Sequence, residues 1–481
     1  MAQLDLMILL PLLAALISLV AGRVDARLPR WIGLLGVLAQ LGLLATLSSR
    51  GVWAGARIYG LDGKITQGVW QTVIDGLSMP LVALTVFIGF VAVVVSWNVS
   101  ERQGSFFALV LALQAAVTGV FLAESLLLFY IAWECVLVPM YFLIGGWGSS
   151  NRKHAATKYL IYTFAAGAVM LVGVIFTLVQ VGGSTSISSI VASRATIAAP
   201  AIVFWLFMVG FLVKIPVVPL HTWLPDAHTE APTAGSIILA GVMLKMGGYG
   251  LLRIALPFAP TAFDASRGLL AVLGVVGIVY GAAMAYVQTD LKRLVAFSSI
   301  SHMGFVVLAV SVGTPEALGA AMLAMVSHGF VAGLLFLLVG ALYERTHTRE
   351  LGRLGGLGKV APLWSTAFVF AGLASLGLPG LSGFPGEFVT MLASFSAFGW
   401  WAALAAIGLV LGAAYNLRAI KTSVQGHIGD FTALVDLSVR EAGLVALFVT
   451  AIVYVGVQPY VVIRGAESAL TAISRAVNGG M

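Results

Sequence analysis

The chain has 481 residues, of which 60% are hydrophobic and only 9% are charged. Soluble proteins of ordinary composition carry about 25% charged residues, so this composition excludes a large soluble domain and predicts a polytopic membrane protein. The formal net charge of +7 is dispersed over many loops. Without an aromatic-rich polar domain, such a charge argues against nucleic-acid binding.

Apolar runs of about 20 residues, the length that crosses a bilayer as a helix, follow one another along the chain. They predict an all-α fold of about 14 transmembrane helices in a single membrane domain. The single Cys135 excludes an internal disulfide and a cysteine-held cluster, so no redox centre is expected in this chain. The runs lie near residues 4–22, 31–48, 74–98, 105–122, 125–147, 157–181, 200–219, 232–255, 268–288, 293–312, 315–343, 361–397, 399–420 and 439–462.

The basic residues between these runs predict an orientation. Sixteen Lys and Arg follow odd-numbered helices and eight follow even-numbered ones. Cytoplasmic loops carry the excess of positive charge, so we expect the odd loops in the cytoplasm and both termini on the outer side. The bacterial cytoplasmic membrane is the expected location.

Three ionisable residues lie inside apolar runs: Glu134, Lys214 and Lys245. A cation at bilayer depth costs about 3 kcal/mol, and such residues usually face a partner or a wet cavity on a transport path. Burial weakens the hold of a lysine on its proton, and a nearby carboxylate restores it. Opening and closing a Glu134–Lys214 pair is therefore a means of moving protons. A buried ion pair that only fixes helix packing is the alternative.

Two runs contain helix-breaking segments. Residues 214–225 include three prolines, and residues 377–387 are rich in glycine and proline and end at Glu387. Paired interruptions of this kind point to an inverted-repeat transporter. They fall in the seventh and twelfth helices, five apart, which predicts two inverted five-helix repeats of helices 4–8 and 9–13. The corresponding division is helices 1–3 in 1–104, the first repeat in 105–256, the second in 257–425 and a C-terminal helix in 426–481.

Histidines supply further candidate proton carriers. His302 and His328 fall in apolar runs, and histidine titrates near neutrality with two usable ring nitrogens. A packing histidine bonded to a neighbouring carbonyl or serine is the alternative for each. His221 and His228 flank the first interruption; with no third metal ligand in view, we interpret them as loop histidines at the membrane surface.

Three carboxylates, Asp75, Glu124 and Glu344, lie near predicted helix ends, where side chains can reach water. We interpret them as interfacial anchors or loop contacts.

Several motifs together resemble one known family. They are WECVLVPMYFLI at 133–144, HTWLPDAHTEAPTAGS at 221–236, LKMGGYGLLR at 244–253, AFSSISHMG at 296–304 and YERTHTRE at 343–350. In combination they resemble the M-type antiporter-like subunit of respiratory complex I, whose mitochondrial counterpart is subunit 4, over roughly residues 70–430. Multisubunit cation/proton antiporters and related ferredoxin- or hydrogenase-linked complexes contain similar chains, and they are the alternatives for function.

The resemblance implies fourteen helices, a proton channel, and membership of a hetero-oligomer with L-, N- and K-type neighbours. It implies no cofactor in this chain, with FMN, iron–sulfur clusters and quinone in partner subunits. Matching motif to motif, Glu134 pairs with Lys214 and Lys245 is the central relay. Glu387 is the terminal group that exchanges protons with the outside. The hydrated path between them uses three histidines, His221, His302 and His328.

Overall fold

Apolar helices make up most of the described chain, residues 3–60, 68–431 and 434–479, in the computed structural model. Within these ranges, 12 helical stretches are long and apolar enough to cross a membrane, and two shorter apolar helices cover Pro200–Lys214 and Pro362–Ser375. The prediction of a many-helix membrane fold is confirmed. Lys64, which contributes to the count of loop charges, lies outside the described residues.

We number the spans in chain order. They are α1 (Gln3–Ala21), α2 (Leu28–Ser48), α3 (Met79–Val95), α4 (Gln103–Leu122), α5 (Leu126–Cys135 and Leu137–Trp147), α6 (Arg152–Gln180), α7a (Pro200–Lys214), α7b (Trp223–Glu230), α8 (Thr233–Phe258), α9 (Pro260–Val287), α10 (Leu291–Val312), α11 (Pro315–Thr346), α12a (Pro362–Ser375), α12b (Gly383–Phe398), α13 (Ala405–Val424), α14 (Val439–Val457) and α15 (Glu467–Val477). Short helical turns lie at Val52–Ala54, Ser96–Asn98, Ile187–Ala192, Arg194–Thr196, Leu351–Arg353, Leu357–Val360, Gly399–Leu404, Tyr460–Ile463 and Arg464–Ala466.

A small hairpin departs from the all-α expectation. Strands β1 (Ile58–Tyr59) and β2 (Val73–Ile74) pair antiparallel, with Ile58 opposite Ile74. Pairing with β1 takes residues 73–74 out of the third predicted helix, so α3 begins at Met79 instead of near 74, with Pro80 in its first turn. Proline is tolerated there because the first helical N–H groups have no intrahelical partner.

Both predicted interruptions are present. The chain leaves the helix after Lys214 and resumes at Trp223, since Pro216 and Pro219 lack an N–H and crowd the preceding turn. In the twelfth span, Gly377 and Gly380 adopt φ of +76° and +91°, a region that favours glycine and separates α12a from α12b. The two breaks lie five spans apart, as expected; the inverted repeats and the four-part division stay predictions.

The C-terminal end, where one helix is expected, contains a further helix after the last span. Helix α14 ends at Val457, just before Pro459, and the separate helix α15 follows. The residue before a proline disfavours helical geometry, which explains the stop. Leu470, Ile473 and Val477 of α15 are buried at helical spacing, so this helix lies against the protein along one apolar face.

Helices α8, α10 and α11 form the centre of the molecule. All of the most apolar window of α8 is buried, as is 94% of that of α10 and of α11, against 28% for α2. A helix that is apolar all round is stable when other helices surround it. The polar side chains in the middle of these three helices are therefore enclosed by protein.

Candidate functional site

Lys245 lies at the middle of the enclosed helix α8. Its side chain is fully buried, and its Nζ contacts the Ala240 carbonyl and His328 Nδ1, the latter at 2.6 Å. The Leu239–Met243 segment just before it is π-helical, a winding that is frequent at functional sites. The sequence prediction of a lysine held inside the protein by a polar partner is met by a histidine and a carbonyl.

His328, on α11, is the first partner of Lys245. It is 5% exposed, and its ring centroid lies 5.7 Å from that of His302 on α10. An ammonium can only donate, so with Lys245 protonated the His328 Nδ1 accepts and the ring proton resides on Nε2. That Nε2 has no hydrogen-bond partner among the described residues.

His302 and Glu387 form the far end of the cluster. The His302 Nδ1 lies 2.8 Å from Glu387 Oε1, and its Nε2 lies 3.1 Å from Ser375 Oγ and 3.4 Å from the Tyr415 hydroxyl. Glu387 is 8% exposed and lies on the buried face of α12b. The turn at Gly377 comes so close that an added Cβ would lie 3.0 Å from Glu387 Oε2. The broken helix therefore brings a carboxylate into the protein interior.

A cavity of about 20 Å³ lies between the two histidines and is lined also by Ser327, Ser375 and Glu387. This volume accommodates about one water molecule, which needs 2–4 polar partners, and the lining supplies them. Lys245, His328, this cavity, His302 and Glu387 thus form a series in which each step is a hydrogen bond or one water long. We call these four residues the relay cluster.

Lys214 and Glu134 lie near each other without forming a closed ion pair. Lys214 ends α7a and is 2% exposed, with its Nζ 5.4 Å from the ring centroid of Trp133 and 5.9 Å from that of Tyr159. Glu134 packs on Gly167, where an added Cβ would lie 1.9 Å from its Oε1. Across the described residues, no Lys214–Glu134 nitrogen–oxygen distance is within 4.0 Å. Aromatic faces hold the lysine in this structure.

The interpretation of His221 and His228 as loop histidines at the membrane surface is wrong. His221 is 5% exposed inside the α7 break, with Nε2 3.3 Å from the Tyr280 hydroxyl. His228 is fully buried in α7b and stacks on Phe336 with centroids 4.5 Å apart. Residues 221–230 carry few apolar residues, so their polarity suggested a surface segment; burial inside the helix bundle overrides that local signal.

A second buried charge cluster was missed at the sequence level. Arg253 on α8 contacts Asp75 (Nη1–Oδ2, 2.6 Å) and Glu124 (Nη2–Oε2, 3.3 Å), and these carboxylate side chains are 4% and 8% exposed. Of the three carboxylates interpreted as interfacial anchors or loop contacts, Asp75 and Glu124 do not reach water. Glu124 instead contacts Ser186 and Ser188 in the segment between α6 and α7a, and Glu344 is exposed near the end of α11. An arginine near the end of an otherwise apolar span was the available signal.

Lys292 is the other missed residue. The sequence assigns it to a loop, but it lies in the first turn of α10, is 7% exposed, and donates to the Ala231 carbonyl at 2.5 Å. Within residues 3–60, 68–431 and 434–479, no group of three or more His, Cys, Asp or Glu side chains is placed to hold a metal ion. The ionisable groups therefore interact with one another and with backbone carbonyls.

Comparison with known proteins shows which family has this architecture. Residues 123–412 match the family model described as NADH:quinone oxidoreductase/Mrp antiporter, TM. The chain belongs to this family. It is 39% identical over 476 residues to NADH-quinone oxidoreductase subunit M of Pseudomonas aeruginosa, covering 94% of each chain. It is 36% identical to subunit M of Escherichia coli, covering 98% of this chain and 97% of the relative. The resemblance to M-type subunits is confirmed.

Solved structures agree with the family assignment. A chain of respiratory complex I from Thermus thermophilus superposes with a TM-score of 0.90 at 31% identity, covering 98% of this chain and 99% of that one. A chain of the Mrp complex from Dietzia, at 22% identity and a TM-score of 0.85, covers 98% of this chain and 99% of its own and shares the fold. The first neighbour is a chain of a respiratory complex I, and the second shows the shared fold.

Proposed function

We propose that this chain is the proton-translocating membrane subunit of an NADH:quinone oxidoreductase, pumping in response to electron transfer in partner subunits. The observation that carries the proposal is the relay cluster, in which Lys245, His328, His302 and Glu387 follow one another at hydrogen-bond or single-water spacing. Ionisable groups inside a membrane domain mark ion pathways. Relatives over 94% or more of the chain bear the name NADH-quinone oxidoreductase subunit M.

Proton transfer along the cluster uses opposite nitrogens of each ring. Lys245 Nζ gives a proton to His328 Nδ1 across 2.6 Å, and the resulting imidazolium releases its Nε2 proton to water in the 20 Å³ cavity. That water protonates His302 at Nε2, and His302 passes its Nδ1 proton to Glu387 Oε1 across 2.8 Å. The sequence keeps the proton count constant and leaves Lys245 neutral. It also leaves His328 protonated at Nδ1 and His302 at Nε2, so both rings return to their starting tautomers before the next proton passes.

Reloading of Lys245 is assigned to the Glu134–Lys214 pair. With the pair open, as here, Lys214 has only aromatic faces near its charge, so its proton is less well stabilised. Closing the pair would favour the protonated lysine, because a carboxylate within about 4–6 Å stabilises the charged form. A conformational or electrostatic stroke from the partner subunits would drive this alternation. His221, against Tyr280 in the α7 break, would extend the hydrated path between the two halves.

The remaining assignments follow from the same proposal. FMN, iron–sulfur clusters and quinone would reside in partner subunits, and L-, N- and K-type membrane subunits would be the neighbours. Both termini would lie on the outer side of the bacterial cytoplasmic membrane, with the two broken helices in inverted repeats of helices 4–8 and 9–13. A cation/proton antiporter is the alternative, since the family model names both classes.

The deciding experiment replaces His328 by Gln in the intact complex and measures protons translocated per electron. We expect assembly to be retained and the proton stoichiometry to fall, because glutamine fills the site without accepting a proton from Lys245. His154→Gln, at an exposed position, is the matched control and should pump normally. Normal stoichiometry in His328→Gln would refute the relay and favour a purely structural role for the buried charges. Co-purification with flavin and iron–sulfur subunits, or only with small antiporter-type subunits, separates oxidoreductase from antiporter.

A further inference from the structure

Four arginines from different parts of the chain line one cavity of about 520 Å³, whose lining includes no residue of the relay cluster. Arg57 follows α2, Arg194 lies between α6 and α7a, Arg253 is near the end of α8, and Arg475 is in the last turn of α15. They are half of the eight basic residues that follow even-numbered spans. Basic residues are few after the even-numbered spans, and half of them therefore lie at this one cavity.

The carboxylates around the cavity neutralise only part of this charge. Asp75 and Glu124 are both engaged by Arg253, and Arg57 reaches Asp75 only at 3.8 Å with half of its side chain exposed. Glu124 also accepts hydrogen bonds from Ser186 Oγ and the Ser188 N–H. Four arginines against two carboxylates leave a formal excess of two positive charges.

The other two arginines have no acidic partner in the part of the chain that the structure describes. Arg194 donates to the Val191 carbonyl at 3.2 Å, and Arg475 is exposed and forms no ion pair there. In addition, the buried Nε of Arg253 has no hydrogen-bond acceptor among the described residues. Unused guanidinium donors facing one cavity fit phosphate, whose oxygens arginine binds in a bidentate manner.

Apart from Glu124 and Ser188, the rest of the wall is apolar. Leu252, Pro257 and Ile473 line the same cavity as the arginines. Such a combination suits an amphiphile at a membrane surface, with a charged head at the guanidinium groups and a hydrocarbon part against the apolar wall. Free phosphate would use the arginines but not this wall.

We propose that this cavity binds a phosphate group, supplied by the phosphodiester head of an anionic phospholipid. Binding would tie α15 to α8 and to the loops after α2 and α6, because the four arginines come from these elements. This site is independent of proton transfer and stands whether or not the relay cluster carries protons.

The test uses the intact detergent-purified complex with three versions of this chain: wild type, R194Q/R475Q, and R152Q/K421Q as a control with the same charge change outside the cavity. Phosphatidylglycerol, zwitterionic phosphatidylcholine and inorganic phosphate are titrated separately, and binding is measured as protection against thermal unfolding. Each arginine near an anionic headgroup contributes about 1 kcal/mol. R194Q/R475Q should therefore bind phosphatidylglycerol about 30-fold more weakly, while the control stays like wild type.

The outcomes separate the possible ligands. Arginine-dependent protection by phosphatidylglycerol alone identifies the lipid head, whereas equal arginine-dependent protection by inorganic phosphate identifies a free-phosphate site. Identical affinities of wild type and R194Q/R475Q for both probes, or equal protection by phosphatidylcholine, would overturn the proposal. Should the double variant fail to assemble, single R475Q, which breaks no ion pair, should weaken phosphatidylglycerol binding about 5-fold, and an unchanged affinity would overturn the proposal.

Discussion

The buried Arg253 cluster makes a quantitative prediction about stability. Arg253→Met removes the cation that contacts both Asp75 and Glu124, and the side chains concerned are only 10%, 4% and 8% exposed. Removing one partner from a buried pair costs about 3–5 kcal/mol because the other charge stays buried. Asp75 keeps hydrogen bonds from the Leu77 and Ser78 N–H groups, so we expect the lower end, about 3 kcal/mol.

The assay is denaturation of the purified complex in mixed micelles, followed by a spectroscopic signal of this chain's unfolding. Arg353→Met is the matched control: its ion pair with Asp430, at 2.7 Å, is more than half exposed on both sides, and exposed pairs contribute about 0–1 kcal/mol. Adding D75N and E124Q to Arg253→Met removes the stranded charges and should restore most of the stability. A loss below about 1 kcal/mol for Arg253→Met, equal to the control, would refute the reasoning.

Two further predictions concern the relay cluster and the helix packing. Glu387→Gln keeps a hydrogen bond to His302 but cannot take up its proton, so protons translocated per electron should fall while the complex still assembles. The control Glu344→Gln, at an exposed position, should pump normally. Equal stoichiometry in both variants would exclude Glu387 as the terminal acceptor. Gly281→Ala places a Cβ 2.5 Å from the Ser301 backbone nitrogen, where α9 meets α10. It should destabilise the protein by about 1–3 kcal/mol. Gly268→Ala, with no atom within 4 Å, should be neutral or slightly stabilising; similar unfolding free energies for the two variants would show that the helices can separate freely.

The sequence identified the residues of the candidate site more readily than it identified which residues contact one another. Lys245, His302, His328 and Glu387 stand out because each is an ionisable residue in an apolar setting. The contacts that join them link residues 83 and 85 positions apart. Arg253 meets Asp75 across 178 positions. Such pairs depend on how each helix is rotated and packed, which no local pattern specifies.

Sequence by itself determined the membrane class, the many-helix fold, both helix breaks and the family. These follow from local physics: a run must be long and apolar enough to cross a bilayer, and proline or left-handed glycine ends a helix at a fixed place. Only the tertiary structure decided that His228 is buried, that Asp75 and Glu124 share Arg253, and that Lys214 lies against aromatic rings without a closed ion pair to Glu134. Burial and pairing depend on which helix faces meet, and these are settled by packing of the whole bundle.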